Sequence, residues 1–264
     1  MKAPIPRALP SYPDLKGKVA LVTGGSRGIG AATCHLLAAN GATVVVNGRD
    51  GATIGPVVEG IRSGGGRAIG IAADCTNLAA IERMREQVRH ECGAVDVLVA
   101  CVGGHGEHTP TAEITEERWH LVIDVNLTAT FLTVRSFLPG MLERRTGSII
   151  TVGSSAARFL VGVSASSASY AAAKAGVVML SRRLAAEVAG YGIRVNCVAP
   201  AAVLTERVER QLSEAQQKEI AASVPLGRMG TPEDVALAVL FLASESSSWL
   251  TGVTLDVAGG RIML

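Results

Sequence analysis

Seven hydroxyl groups stand between Val152 and Gly176, those of Ser154, Ser155, Ser164, Ser166, Ser167, Ser169 and Tyr170, followed by Lys174. Tyr170 and Lys174 are spaced i and i+4, which puts both on one face of a helix. A free phenol has a pKa of about 10 and is a poor proton shuttle at neutral pH. A nearby ammonium favours the phenolate and lowers that value, and a tyrosine so tuned can exchange a proton with a carbonyl or an alcohol. An ordinary surface Tyr–Lys pair does none of this, so the spacing carries chemistry only beside a hydride carrier. The serines raise a second option, a nucleophile. However, Gly153–Ala157 (GSSAA) lacks the G-x-S-x-G elbow, and no histidine follows it in the chain. That order excludes the α/β-hydrolase triad.

A hydride carrier needs a nucleotide site. The apolar run Lys18–Thr23 (KVALVT) leads straight into TGGSRGIG, Thr23–Gly30, and then into a helical pattern. Gly24 suits the tight turn, Gly28 lets the backbone approach a pyrophosphate, and Gly30 lets helix and strand pack closely. Ser26, Arg27 and Ile29 complete this loop. The free N–H groups and the positive dipole end of the helix favour the anion. Strand, glycine loop and helix in that order predict dinucleotide binding. An acid ending the next strand would hold a ribose 2′-hydroxyl and repel a 2′-phosphate. Here the strand ends Val46-Asn47-Gly48-Arg49, and Arg27 sits inside the glycine loop. Two guanidiniums suit a phosphate, with Asp50 the nearest acid, so NADP(H) is favoured over NAD(H).

The elements that must carry these residues alternate along the chain. Apolar strand runs are read at Lys18–Thr23, Thr43–Asn47, Arg67–Ala73, Asp96–Ala100, Ser148–Val152, Ile193–Val198 and Val253–Val257. Helical patterns are read at Gly30–Asn40, after the second strand, at Leu78–Cys92, Glu116–Leu138, Ala168–Ala189 and Pro232–Ala243, with a charged helical segment at Leu204–Ala222. Strands that are apolar throughout rather than alternating are buried on both faces, as in a parallel sheet flanked by helices. The expectation is an α/β fold: one doubly wound, Rossmann-type domain over residues 16–264, with a mainly parallel sheet of about seven strands. Residues 1–15, broken by Pro4, Pro6, Pro10 and Pro13, read as an extended arm without the apolar core of a signal peptide.

Composition narrows the function classes. The 264 residues are 48% hydrophobic and 18% charged, with a net charge of +2 and only 3% aromatics. No basic run speaks for nucleic acid. No apolar segment reads as long enough to span a bilayer. Cys34, Cys75, Cys92, Cys101 and Cys197 form no C-x-x-C pair, which fits reduced thiols in a cytoplasmic protein.

TGGSRGIG resembles the glycine motif of the short-chain dehydrogenase/reductase family, and the resemblance runs from about Gly17 to Gly260. Asp74 in AADCT matches the family's adenine-contacting aspartate, with Cys75 beside it. Asn126 in DVNLTATF matches its helix asparagine, and YAAAK, Tyr170–Lys174, matches its Y-x-x-x-K. NCVAP followed by Thr205, which includes Pro200 and leads to Val203, resembles its stretch after the sixth strand. PLGRMGTPEDVA, Pro225–Ala236, resembles its segment after the substrate lid. The resemblance implies Tyr170 as the acid–base and Lys174 as its tuner and the holder of the nicotinamide ribose. It implies Asn126 in a water-linked relay to Lys174, and Ser154, with Ser155 in reserve, as the second donor to the developing oxyanion. It also implies a small-molecule carbonyl or alcohol substrate, and a homotetramer built through helices around Asp124–Leu138 and Tyr170–Ala189.

The chain departs from the pattern in places. Where the family carries N-N-A-G it has Ala100-Cys101-Val102-Gly103, keeping the glycine and losing both asparagines, and Ala201 replaces a glycine after Pro200. The Ser154–Tyr170 loop reads as a few residues longer than usual, around Ala165–Ser167. Ser164, Ser166, Ser167 and Ser169 are read as loop or cap residues, with Ser169 the suggested helix cap. His105, Glu107 and His108 in GGHGEH read as pocket rim rather than metal ligands, and Arg144 and Arg145 as flanking a helix end. A lid at about 204–224 would offer Leu204, Val208, Leu212 and Ile220 to the pocket, with Phe159, Leu160, Val161 and Val163 as further lining. The leading expectation is an NADPH-dependent carbonyl reductase, possibly of 3-oxoacyl type. A sugar, steroid or cyclic-ketone dehydrogenase on the same scaffold, and an NADP-binding sensor with little turnover, are the alternatives.

Overall fold

A computed structural model describes residues 10–104, 108–159 and 166–263. Seven strands form one sheet in the order β3-β2-β1-β4-β5-β6-β7: β1 (Val19–Thr23), β2 (Thr43–Gly48), β3 (Arg67–Ala72), β4 (Val97–Ala100), β5 (Gly147–Val152), β6 (Ile193–Pro200) and β7 (Thr254–Val257). Every pairing is parallel. The strand order reverses between β1 and β4, which opens a crevice at their carboxyl ends.

The uninterrupted apolar runs divide by the period of two. Ala20, Val22, Val44, Val46, Val97 and Val99 meet α1 (Gly28–Ala39), α2 (Gly51–Ser63) and α9 (Pro232–Ala243) on one face. Val19, Leu21, Val45, Leu98 and Ile149 meet α3 (Leu78–Glu91), α5 (Ala129–Arg144) and α6 (Ala168–Val188) on the other. Burial on both faces is why these strands show no polar alternation.

Several boundaries differ from the sequence reading, each for a local reason. Pro13–Leu15 is a 3-10 turn rather than extended arm, and Leu15 is buried in the first core cluster. Helix α5 runs past Pro139 to Arg144, where Arg145 adopts a left-handed conformation (φ 53°) and ends it. Arg145 donates to the Gly190 carbonyl and Arg144 to that of Val95, so both do flank a helix end. The lid segment is two helices, α7 (Glu206–Gln211) and α8 (Glu214–Ala222), because Ser213 and Gln216 form a capping box that starts a new helix. Helix α4 (Glu116–Ile123), a π turn at Asp124–Thr128 and α5 form one continuous run. By length and composition that run, Glu116–Arg144, is apolar enough to cross a membrane, with a mean hydropathy of 1.4 over its best window. This corrects the reading that no segment is long enough. Its Val134, Phe137 and Met141 are core residues of the second cluster.

Candidate active site

The glycine loop lies at the carboxyl end of β1 and is tied to β2 by a hydrogen bond from Gly25 N–H to the Asn47 carbonyl at 2.8 Å. Gly24 has φ +67°, and a Cβ there would lie 3.0 Å from the Cys101 carbonyl oxygen; a Cβ on Gly30 would overlap the Gly24 carbonyl. Only glycine allows these approaches. Arg27 is the N-cap of α1 and makes no side-chain cap bond, so no side chain of its own cap satisfies the first-turn N–H groups. That arrangement fits a pyrophosphate at the helix end. Thr205 closes the loop from the far side: it caps α7, accepting from Val208 N–H at 3.3 Å, and its methyl lies 3.4 Å from where a Gly28 Cβ would stand. Pro200 ends β6, and Val203 is buried and bridged to Gly230.

At the end of β2, Arg49 is exposed. Asp50, read from sequence as the acid able to blunt it, instead caps α2 by accepting from Ala52 N–H at 2.9 Å. The acid that feels Arg49 is Asp74. The Thr76 amide and hydroxyl, and then the Arg49 charge, hold the Asp74 carboxyl below the usual carboxylate range. Cys75 turns its thiol inward onto Asn47 Oδ1 at 3.2 Å, and burial pushes that thiol up to about 11. Asn47 is fully buried and donates to the carbonyls of Gly48, Ile71 and Ala73. It ties β2 to β3 beside the nucleotide loop. The signal for it in the sequence is an asparagine closing the apolar run TVVVN, which the pattern of strands alone does not single out.

The residues expected from the sequence to handle the proton come from the α4–α5 run, the end of β5 and α6. Lys174 is buried, and its ammonium donates to the Val152 carbonyl at 2.7 Å, close to Ser154 in the chain. Its Nζ lies 5.8 Å from the centroid of the Tyr170 ring, as i, i+4 spacing on α6 requires. Asn126 sits in the π turn, fully buried, the kind of helix defect that re-aims side chains at functional sites. Its Oδ1 accepts from Gly104 N–H at 3.1 Å, and its Nδ2 donates to the Gly104 and Val122 carbonyls. A Cβ on Gly103 would lie 2.8 Å from Asn126 Oδ1 and 3.0 Å from Lys174 Nζ. Gly103, Asn126 and Lys174 thus meet at one point. The lost family asparagines leave Cys101 here, whose thiol burial pushes up to about 11 against the pull of Lys174.

Ser154 and Ser155 are both buried. Ser154 Oγ accepts from Ala156 N–H at 3.2 Å and starts a 3-10 turn, Ser155–Ala157. The cap of α6 is Ser167, which accepts from Tyr170 N–H at 3.3 Å; this corrects the assignment to Ser169, which lies inside the helix and bonds to Ser167 Oγ. The serine immediately before the first helical residue is the one the capping rule favours. Phe159, Leu204, Val208, Leu212 and Ile220 are half-buried. Arg207 on α7, to which no sequence pattern points, brings a guanidinium nitrogen to 2.8 Å from the Cβ position of Gly104. His105, Glu107, Leu160, Val161, Val163, Ser164 and Ala165 lie outside the described residues.

Comparison with known proteins gives a consistent set of relatives. The family model described as enoyl-(acyl carrier protein) reductase matches residues 24–261. The 3-oxoacyl-acyl-carrier-protein reductase FabG of Escherichia coli is 39% identical over 255 residues, covering 95% of this chain and all of that protein. Its counterpart in Vibrio harveyi is 38% identical over 253 residues, with the same coverage. Among solved structures, a protein from Burkholderia xenovorans described as a short-chain dehydrogenase/reductase superposes with a TM-score of 0.90 at 34% identity, covering 95% of this chain and 98% of that one. Levodione reductase superposes with a TM-score of 0.89 at 28% identity, covering 93% and 98%.

Proposed function

The chain belongs to the short-chain dehydrogenase/reductase family, oxidoreductases acting on CH–OH and C=O groups with a nicotinamide cofactor, and from that premise we propose that it is an NADP(H)-dependent ketoreductase using Tyr170 as its acid–base. The observation that carries this reading is the buried Lys174 ammonium, held by the Val152 carbonyl within 5.8 Å of the Tyr170 ring and beside Asn126 and Gly103. A bound nicotinamide supplies or accepts the hydride.

The chain's own residues do the rest. Gly24, Ser26, Arg27, Gly28, Ile29 and Gly30 receive the pyrophosphate end, Asp74 and Cys75 the adenine side, and Gly103, Pro200, Val203 and Thr205 the remainder. Lys174 would hold the nicotinamide ribose. Tyr170 gives its proton to the carbonyl oxygen in reduction and takes one from the alcohol in oxidation. Ser154 donates to the same oxygen and stabilises its developing charge. Asn126 fixes the Gly104 backbone, which keeps the floor of the cleft in register with Lys174.

Preference for the 2′-phosphate is supported by Arg49 and Arg27 and by the lack of room for a side chain at Gly48. A Cβ at position 48 would stand 3.0 Å from Ser26 Oγ, so an acid there would crowd the loop. A 3-oxoacyl thioester is the substrate favoured by the relatives named for that reaction. A cyclic ketone is the second reading, supported by the likeness to levodione reductase. The reading includes a homotetramer in the cytoplasm. The direct test is Tyr170→Phe, assayed by cofactor absorbance with acetoacetyl-coenzyme A and levodione. Turnover is expected to fall by about 100-fold or more, the usual size of a general acid–base contribution, with NADPH binding retained. Undiminished turnover would remove Tyr170 from the chemistry.

A further inference from the structure

We propose that Arg158 and Asp256 act as a positioning pair that fastens the segment after Ser154 to the edge strand β7, and so set kcat/KM for the ketone. The inference rests on Ser154 and Tyr170 being the hydroxyls that meet the carbonyl. Ser154 opens the 3-10 turn Ser155–Ala157, and Arg158 closes it, its N–H bonding to the Ser155 carbonyl at 3.0 Å. Phe159 N–H bonds to the same carbonyl at 3.0 Å. The backbone of Arg158 is therefore locked to the residue next to Ser154, and a displacement of the guanidinium is transmitted to the serine.

The side chain of Arg158 then crosses to a residue 98 positions further along. Its Nη1 lies 2.9 Å from Asp256 Oδ2, and the two side chains are 21% and 18% exposed. Asp256 lies on β7, at the edge of the sheet, in register with Ala199 of β6. Other ion pairs among the described residues run within α3 or α4, join Arg144 to Asp96, or cap α9. Among the described residues, the Arg158–Asp256 pair is the one that reaches the serine segment.

Energy alone does not account for a charged pair at this depth. Desolvation offsets much of the attraction, and a well-packed apolar pair would serve stability as well. What such a half-buried ion pair can add is a fixed register between two elements. The second oxygen of Asp256, Oδ1, is buried and has no hydrogen-bond partner among the described residues. The Arg158 contact is thus what keeps that carboxylate in place, and breaking it leaves an unpaired and poorly solvated charge. A shift of about 1 Å in the serine turn is enough to misplace a donor to the carbonyl.

The test compares Asp256→Asn, Arg158→Gln, the double variant and Arg158→Lys by steady-state kinetics with NADPH and acetoacetyl-coenzyme A or levodione. NADPH affinity and Tm are followed in parallel. Each neutralising single variant is expected to lower kcat/KM for the ketone about tenfold, carried mainly by kcat and within the range a misplaced contact produces, with NADPH affinity unchanged. The double variant is expected to be no worse than the poorer single, as for two residues acting through one contact. Arg158→Lys, which keeps the charge, restores most of kcat/KM. Unchanged kcat/KM in both singles, additive losses, or a fall in Tm and NADPH affinity that Arg158→Lys does not rescue would overturn the positioning role. Should Asp256→Asn fail to fold, the contrast between Arg158→Gln and Arg158→Lys decides the question alone. A parent protein that turns over neither ketone fails the ketoreductase reading itself, and that result is known before any variant is made.

Discussion

The Arg49 charge reaches Asp74 at the carboxyl ends of β2 and β3, where the proposed nucleotide site begins. Asp74 Oδ1 accepts from both the Thr76 amide and the Thr76 hydroxyl, at 2.9 and 2.8 Å. Arg49 is drawn only weakly to it, the Arg49 charge being the last of the causes acting on that carboxyl. The guanidinium therefore keeps donors for a phosphate. A charge-assisted hydrogen bond is worth about 1.5–3 kcal/mol, so Arg49→Ala is expected to weaken NADPH binding roughly 10- to 100-fold. NADH, lacking the 2′-phosphate, is expected to change by less than about twofold. Titration of both nucleotides against cofactor fluorescence checks this, and an equal loss for both would remove Arg49 from phosphate recognition.

At the scale of elements, the chain passes from α8 to α9 through a turn fixed at the start of α9. Thr231 and Asp234 form a capping box, and both guanidinium nitrogens of Arg228 reach Asp234. The Arg228 hydrogen bonds come first among the causes that hold the Asp234 carboxyl below its usual value. A depressed carboxylate contributes stability above its unfolded pKa of about 4 and loses it as pH falls through the lower folded value. The pair is partly exposed, so the contribution is discounted to about 0.5–1 kcal/mol. Asp234→Asn is expected to lower Tm by about 2–4 °C at pH 7, with the two proteins converging as pH drops below about 4. A gap that persists at low pH would mean the loss is packing rather than charge. The same segment shows what sequence could and could not reveal. Helix starts carried by a local rule are legible: Thr231-Pro232 before α9 is one, and Ser213-x-x-Gln216 at the break in the lid is a signal of the same kind. So are the seven apolar strands and the Tyr170–Lys174 spacing, since each is a pattern within a few residues. The closure of the site is not. Asn47 binds carbonyls up to 26 residues away, and Arg158 finds Asp256 after 98. Such partners are chosen by the strand order of the sheet, and no short window contains them.

At the scale of the whole molecule, large apolar side chains among the described residues are exposed on two faces. Trp119 and Leu121 on α4, Phe131 on α5 and Met179 on α6 are 39%, 53%, 47% and 59% exposed, and these helices run on one side of the sheet. The β7 end shows a separate set, with Trp249 at 98% and Leu255 at 38%. A closed tetramer of the commonest symmetry needs two different self-complementary faces on each copy. In the proposed tetramer the helices would supply one and the β7 end the other, which would also bring the strand carrying Asp256 near an interface. A charge buried at the centre of an apolar contact costs several kcal/mol. Replacing both Phe131 and Met179 by Asp is therefore expected to cut the helix face and leave dimers held through the β7 end. Light scattering on the eluted peak measures this directly: a tetrameric parent of about four 27.2 kDa chains should become a two-chain species. A parent that elutes as one chain, or a double variant that stays tetrameric, would place the subunit contacts elsewhere.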